Sequence, residues 1–438
     1  MKIDDLRKIG KIEYRGSKNK EKFSFKHYNP EEVIFGKKMK DHLKFAMSYW
    51  HTLCAEGTDM FGNATADKSF QKSDPLETYK AKADFGFELM DILGIDYYCF
   101  HDVDIAPPGK DLEETFALFD QMIDYLEGLQ AKHGKKLLWA TANNFADKKF
   151  MNGAATSPNA DVYAIAAAKV KKTIDATIRL RGTGFVFWGG REGYETLLNT
   201  DMKKELDNFA YFLKLSRDYG RKQGFKGDFL IEPKPMEPTK HQYDFDTATA
   251  IGFLRKHNLH EDFKINVEAN HATLAGHTFQ HELRTAAIEG MFGSIDANEG
   301  DPQLGWDTDH FPKNVYCATL AMYEILKAGG FKNGGINFDA KTRRPSNTVE
   351  DLVLAYIMGM DTYALGLRKA IALIEDGRLD EFVQKRYDSY NRGIGKNIAN
   401  QEVTLEELYE YALKAGEPEV ESGRQEYLES IINQILFS

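Results

Sequence analysis

Glu232, Glu268, Asp296 and Asp339 each end a short apolar run, at Asp228–Glu232, Phe263–Glu268, Phe292–Asp296 and Gly335–Asp339, and His271, Asp307 and Asp309 follow in the loops beyond. Each run reads as a buried strand with an acid at its C-terminal tip. Acids brought to one point repel unless cations lie between them, so the pattern reads as a metal site. Glu232, Glu268, Asp296 and Asp339 could hold one divalent cation by oxygen alone, which favours Mg2+ or Mn2+ over zinc. Glu268-Ala-Asn-His271 and Asp307-Thr-Asp309 could form a second site with Glu268 as the bridge, and its mixed nitrogen and oxygen donors suit Mn2+ or Co2+ as well. Taken singly, such an acid is as readily a helix cap or a first-turn charge. A metal-free ion-pair network is the other plain reading, but the few Lys and Arg in these loops could not balance six acids.

His101-Asp-Val-Asp104 ends another apolar run. A histidine at a strand tip is often only hydrogen-bonded structure, but one held by Asp104 beside a metal site could move a proton near neutral pH. Lys234, two residues past Glu232 and flanked by prolines, is either a solvated lysine or a cation that polarises a substrate oxygen. Trp50, Phe145 and Trp188 fall at or just past run ends, where aromatic faces stack on C–H groups and exclude water; Trp139, in mid-run, reads as core.

These residues need a frame. Four further runs, Leu43–Trp50, Tyr97–His101, Lys136–Thr141 and Gly184–Trp188, bring the strand candidates to eight. Amphipathic helical patterns alternate with them, over 75–93, 110–133, 161–181, 201–223, 246–257, 277–289, 315–328 and 348–374. Asp74, Pro75 and Glu77 start the first, and Gly94 stops it. Strict alternation predicts an α/β fold, a (β/α)8 TIM barrel, with catalytic groups at the C-terminal ends of its strands. A doubly wound sheet would usually carry a Gly-rich phosphate loop after its first strand, and none is present.

The predicted division is a barrel with an N-terminal lead segment over 1–340, then the last barrel helix and a C-terminal helical arm over 341–438. Asn347-Thr-Val-Glu350 reads as a capping box, as do Thr404 and Glu407, with Leu405, Leu408, Tyr409, Ala412 and Leu413 along one face before Gly416. Such a stripe must be covered, and a neighbouring subunit is the expected cover, giving a homo-oligomer.

A net charge of −10 argues against nucleic acid or an anionic membrane surface as partner. No apolar run approaches the ~20 residues a membrane span needs, and the charged N-terminus predicts an unexported, cytoplasmic protein. Cys54, Cys99 and Cys317 read as buried small hydrophobes of a reducing compartment. The acidic loop from Asp296 to Asp309 argues for an unphosphorylated small molecule.

Six stretches, Phe100–Pro107, Phe187–Thr196, Ile231–Pro238, Val267–His271, Gly305–Asp309 and Asn337–Ala340, resemble the motifs of xylose isomerase in the form with the longer N-terminal segment. The resemblance implies interconversion of D-xylose with D-xylulose and of D-glucose with D-fructose, with two divalent cations (Mg2+, Mn2+ or Co2+) per subunit of a homotetramer. It implies that Glu232, Glu268, Asp296 and Asp339 hold a structural metal and that Glu268, His271, Asp307 and Asp309 hold a catalytic one. His101, supported by Asp104, would open the sugar ring, and Lys234 would steady the oxygen on C1 during a metal-assisted 1,2-hydride shift. Trp50, Thr141, Phe145 and Trp188 would line the pocket, and Phe61 would reach a neighbour's site. Where the family often has Gln, this chain has His310. Two other readings remain open on the residues alone: a metal-dependent phosphodiesterase or nuclease, which would want a basic rim, and a metal-binding protein without catalysis.

Overall fold

The computed structural model describes residues 1–438. Eight parallel strands close into a barrel in sequence order, each hydrogen-bonded to the next and the last to the first. They are β1 (Phe45–Ser48), β2 (Tyr97–His101), β3 (Lys136–Thr141), β4 (Gly184–Trp188), β5 (Asp228–Glu232), β6 (Phe263–Glu268), β7 (Phe292–Asp296) and β8 (Ile336–Phe338). Six match the expected runs residue for residue. β1 and β8 are shorter at both ends, and Trp50 leaves the ladder to open a wide π-type turn over Trp50–Cys54. Turns of that kind recur at functional sites because they re-aim side chains.

Barrel helices follow the strands at 75–93, 112–133, 160–179, 202–222, 247–256, 279–288, 315–327 and 349–376. All eight start on an Asp, Asn or Thr whose side chain accepts a first-turn amide, for example Asp74 from Glu77 at 3.0 Å and Asp246 from Thr249 at 2.7 Å. A cap of this kind contributes about 1 kcal/mol and fixes where each βα loop ends. The last helix departs by one residue from the expected box: Thr348 and Asp351 exchange bonds across its first turn, in place of Asn347 and Glu350. The Thr404–Glu407 box forms as expected.

Inside the barrel Ala46, Cys99, Leu138, Trp139, Val186 and Leu230 form one buried cluster, with Trp50 packed against it. Gly293 is small because Leu230 fills the space beside it: a Cβ there would sit 2.5 Å from Leu230 Cδ2. Of the three cysteines only Cys99 is fully buried. Cys317 is exposed, because it takes the solvent side of the first turn of the helix that Asn314 caps.

The chain divides into two compact units, 1–366 and 367–438. Within the second, Lys369 Nζ donates to the carbonyl of Ile435 at 2.8 Å. Its helix Leu405–Ala415 leaves Leu405, Tyr409 and Leu413 exposed. No helix is long and apolar enough to cross a membrane.

Candidate active site

The strand tips deliver the predicted acids to one place. One carboxylate oxygen from each of Glu232, Glu268, Asp296 and Asp339 lies within 4.8 Å of the others, and Glu268 forms a second such group with Asp307 and Asp309. Alternation explains the convergence: in-register parallel strands place Glu268 opposite Asp296, and Asp296 opposite Asn337. His271, one turn into the short helix after β6, brings Nε2 to 3.1 Å from Glu268 Oε2 and 3.3 Å from Asp307 Oδ2.

Beneath the acids the barrel interior is polar. Asn266 Nδ2 donates to Glu232 at 2.9 Å and to Asp296 at 2.8 Å, and Asn337 Nδ2 donates to Asp296 at 2.8 Å. Asn298 Nδ2 donates to Glu268 at 2.7 Å, and Asn270 Oδ1 accepts the Thr308 amide at 3.1 Å, which fixes the loop carrying Asp307 and Asp309. Glu232 and Asp296 are thus held by amides rather than by cations. Burial, reinforced by their neighbours' charge, pushes Glu232 and Glu268 well above the usual carboxylate range and Asp296 up to about 7. Asp309 also rises, through burial and then Asp307.

The loops contain more positive charge than the sequence suggested. Lys234 is buried, with Nζ 2.6 Å from Asp307 Oδ2, and Lys341 Nζ lies 2.8 Å from Asp309 Oδ2. His51 Nε2 is 2.9 Å from Asp339 Oδ1 and 3.2 Å from Asp309 Oδ2. Burial works against its charge, yet Asp309 and Asp339 raise it to about 9. Asp307 is held well below its usual value against the opposing effect of burial, chiefly by Lys234; Asp339 is lowered against burial by His51.

Glu268 Oε2, His271 Nδ1 and Asp307 Oδ1 are buried without a hydrogen-bond partner. Donor atoms left unpaired in a cluster of acids with raised proton affinity are what an absent cation would satisfy, so the residues fit the two expected metal positions.

A cavity of about 200 Å3 opens between these groups and the far side of the mouth, where Trp50, His101, Thr141, Phe145 and Trp188 line it. That volume suits a ligand smaller than the drug-sized occupants of typical pockets, which run ~300–1,000 Å3. His101 Nδ1 is 3.0 Å from Asp104 Oδ2, which also accepts the His101 amide at 2.8 Å. With Nδ1 so held, Nε2 remains for the cavity. Phe145 meets Trp188 edge to face with centroids 4.4 Å apart, and Lys234 Nζ lies 5.3 Å from the Trp188 ring. Trp50 Nε1 donates to Asp339 at 2.6 Å, tying the aromatic wall to the acids. Trp139 is core, as expected, and its ring also floors the cavity. Phe61 is almost fully exposed and lies outside this cavity. His310 does not line it either; its backbone pairs with Glu299. A larger cavity of about 690 Å3 lies behind Asp102, but there Asp102 is already paired with Lys169 at 3.3 Å.

His51, Asn266, Asn270, Asn298 and Lys341 went unread in the sequence. His51 follows Trp50 directly at a strand end, and Asn266 is a polar residue inside an otherwise apolar buried run. Either was a usable signal.

Fold and mouth together define a (β/α)8-barrel enzyme with a buried acid-and-histidine centre suited to divalent cations. Residues 383–436 match the family described as the XylA2 C-terminal domain. The chain is 55% identical to a xylose isomerase of Thermotoga neapolitana over 98% of this chain and 97% of that one. With a xylose isomerase of Tetragenococcus halophilus it shares 53% identity over 99% of this chain and 100% of the other. A solved L-ribulose 3-epimerase structure aligns with a TM-score of 0.48 at 13% identity, covering 76% of this chain and 96% of that one. The chain belongs to the xylose isomerase family.

Proposed function

We propose that this protein interconverts D-xylose and D-xylulose, and D-glucose and D-fructose, as an intramolecular oxidoreductase. The observation that carries the reading is the convergence of Glu232, Glu268, His271, Asp307, Asp309 and Asp339, with Asp296 buried among them, on a small cavity faced by His101, Lys234 and aromatic rings. Glu232, Glu268, Asp296 and Asp339 would hold one divalent cation, and Glu268, His271, Asp307 and Asp309 a second, as Mg2+, Mn2+ or Co2+. Held there, such cations would supply Lewis-acid polarisation of neighbouring sugar oxygens, the chemistry a 1,2-hydride shift between C2 and C1 would need.

The protein's own groups divide the remaining work. His101, oriented by Asp104, relays the O1 hydroxyl proton through Nε2 to the ring oxygen, so that the C1–O5 bond breaks as the C1 carbonyl forms and the cyclic sugar opens. Lys234, kept charged by Asp307, stands where the developing charge on the C1 oxygen needs a donor. Trp50, Thr141, Phe145 and Trp188 pack the sugar's C–H faces and keep water from the open-chain form. The acidic loop around Asp307 disfavours a phosphorylated substrate.

The exposed Leu405, Tyr409 and Leu413 face supports a helical arm that binds other subunits, and with Phe61 projecting from its loop it favours a homotetramer in which Phe61 enters a neighbour's site; a cytoplasmic location fits the family. Ketose formation from D-xylose by the Mg2+-loaded protein tests the substrate assignment. Xylulose is the expected product; turnover of phosphodiesters and not of aldoses would overturn it.

A further inference from the structure

The barrel mouth does not exhaust the side chains able to bind metal. His277, His281 and Glu282 sit around the first turn of helix Phe279–Ile288, and one ligand atom from each lies within 4.8 Å of the other two. The two imidazoles, one turn apart, share a face, with centroids 4.6 Å apart and planes 34° from parallel. Glu282 is only 4% exposed. Its Oε2 accepts the Thr247 amide at 2.8 Å, while the buried Oε1 has no hydrogen-bond partner and lies 3.9 Å from His281 Nε2. Asp246 Oδ2 lies 3.2 Å from His277 Nε2.

We propose that His277, His281 and Glu282 form a further metal centre for a borderline transition cation such as Zn2+, with Asp246 orienting His277. Two imidazoles and one carboxylate are a set that suits Zn2+ and not Mg2+, and they leave a position for water. A carboxylate behind a coordinating imidazole is the usual arrangement that fixes its tautomer and ring orientation. The starts of two helices meet here, and each end carries roughly half a positive charge. Asp246 and Glu282 supply two negative charges against them, so the local balance favours a cation. None of these residues belongs to the centre in the barrel mouth. Because Glu282 also binds the Thr247 amide, an ion here ties helix Thr247–Lys256 to helix Phe279–Ile288 and should stabilise that corner.

The test uses the full chain, first saturated with Mg2+ and then equilibrated with Zn2+, comparing wild type with His281→Gln and His277→Gln by elemental analysis after dialysis. Zinc that enters the barrel mouth enters all three proteins, so the difference between them counts the new site. Each substitution should remove one Zn2+ per chain and abolish the part of the Zn2+-induced rise in Tm that belongs to it, with the Tm in Mg2+ alone unchanged. Equal zinc counts in wild type and His281→Gln would overturn the proposal. If His277→Gln disturbs folding through the Asp246 contact, His281→Gln carries the test alone, since that side chain is largely at the surface.

Discussion

Strands β5 to β8 end in or beside Glu232, Glu268, Asp296 and Asp339, whereas the mouth beyond β1 to β4 presents Trp50, His101, Thr141, Phe145 and Trp188. One half of a single barrel mouth is therefore crowded with buried carboxylates, and the other is walled mainly by aromatic rings, with His51, His101 and Asp104 as its titratable groups. The acid half is not balanced by its own cations: Lys234 and His51 lower Asp307 and Asp339, but Glu232, Glu268 and Asp296 are raised by burial and by their neighbours' charge and are met by the neutral amides of Asn266, Asn298 and Asn337. The aromatic half carries two oriented imidazoles, His51 turned to the acids and His101 held by Asp104 within an apolar wall suited to proton transfer and water exclusion. Barrel closure joins the halves where β8 pairs with β1, and there Trp50 and His51 contact Asp339 directly. On the proposed reading, gripping oxygens and handling the ring are separable tasks placed on opposite arcs.

Substitutions can break that separation. Glu268→Gln removes the carboxylate common to both acid groups; ketose formation should fall by about a thousandfold, with loss of bound metal seen by elemental analysis, as expected when Lewis-acid stabilisation worth several kcal/mol goes. On the opposite arc, His101→Asn should lower turnover of the cyclic sugar by roughly 10²- to 10⁴-fold and leave metal content unchanged. Loss of metal in that variant would show the halves are not independent. Trp188→Ala should act more mildly: deleting one ring that packs on the sugar and on Phe145 removes about 1–2 kcal/mol, or roughly tenfold in kcat/KM, most of it in KM.

The acid half also makes a pH prediction. Asp296 rises from 3.8 to about 7 on folding, so the folded chain binds a proton that the unfolded chain has released, and stability falls as pH climbs between those values. His51, raised from 6.5 to about 9, contributes stability that is complete below 6.5 and lost as pH rises through 9. Both slopes have the same sign, so the chelated protein should melt lower at pH 8.5 than at pH 5.5 by a few degrees. With saturating Mg2+ the slope should flatten or reverse, because the cation displaces those protons. Melts in chelator that rise with pH would contradict the assignment of charge in the mouth.

The barrel was legible because its strands are short apolar runs ended by chemistry-bearing residues, with helix caps marking the intervals: Asp74, Pro75 and Gly94 bound one helix in sequence and in structure alike. Glu232, Glu268 and Asp296 could be read as strand tips because the strand period is local. His51 could not be paired with Asp339 from sequence, since that contact exists only once β8 closes on β1. Asn298 and Lys341 are equally non-local, each reaching an acid delivered by another strand or loop. The box sits one residue beyond Asn347 because adjacent Asn and Thr are both competent caps, and the Asn347 side-chain amide is engaged instead by the Thr65 carbonyl while Thr348 caps. Cys317 was misjudged because burial of a small residue near a helix start depends on which face the cap presents.

The proposed chemistry requires two cations sharing Glu268 within the acid half. Anomalous diffraction at the manganese edge from crystals equilibrated with Mn2+ examines this directly. Two peaks within bonding distance of Glu268, one toward Asp296 and Asp339 and the other toward His271, Asp307 and Asp309, are expected; a mouth with a single peak, or none, would contradict it.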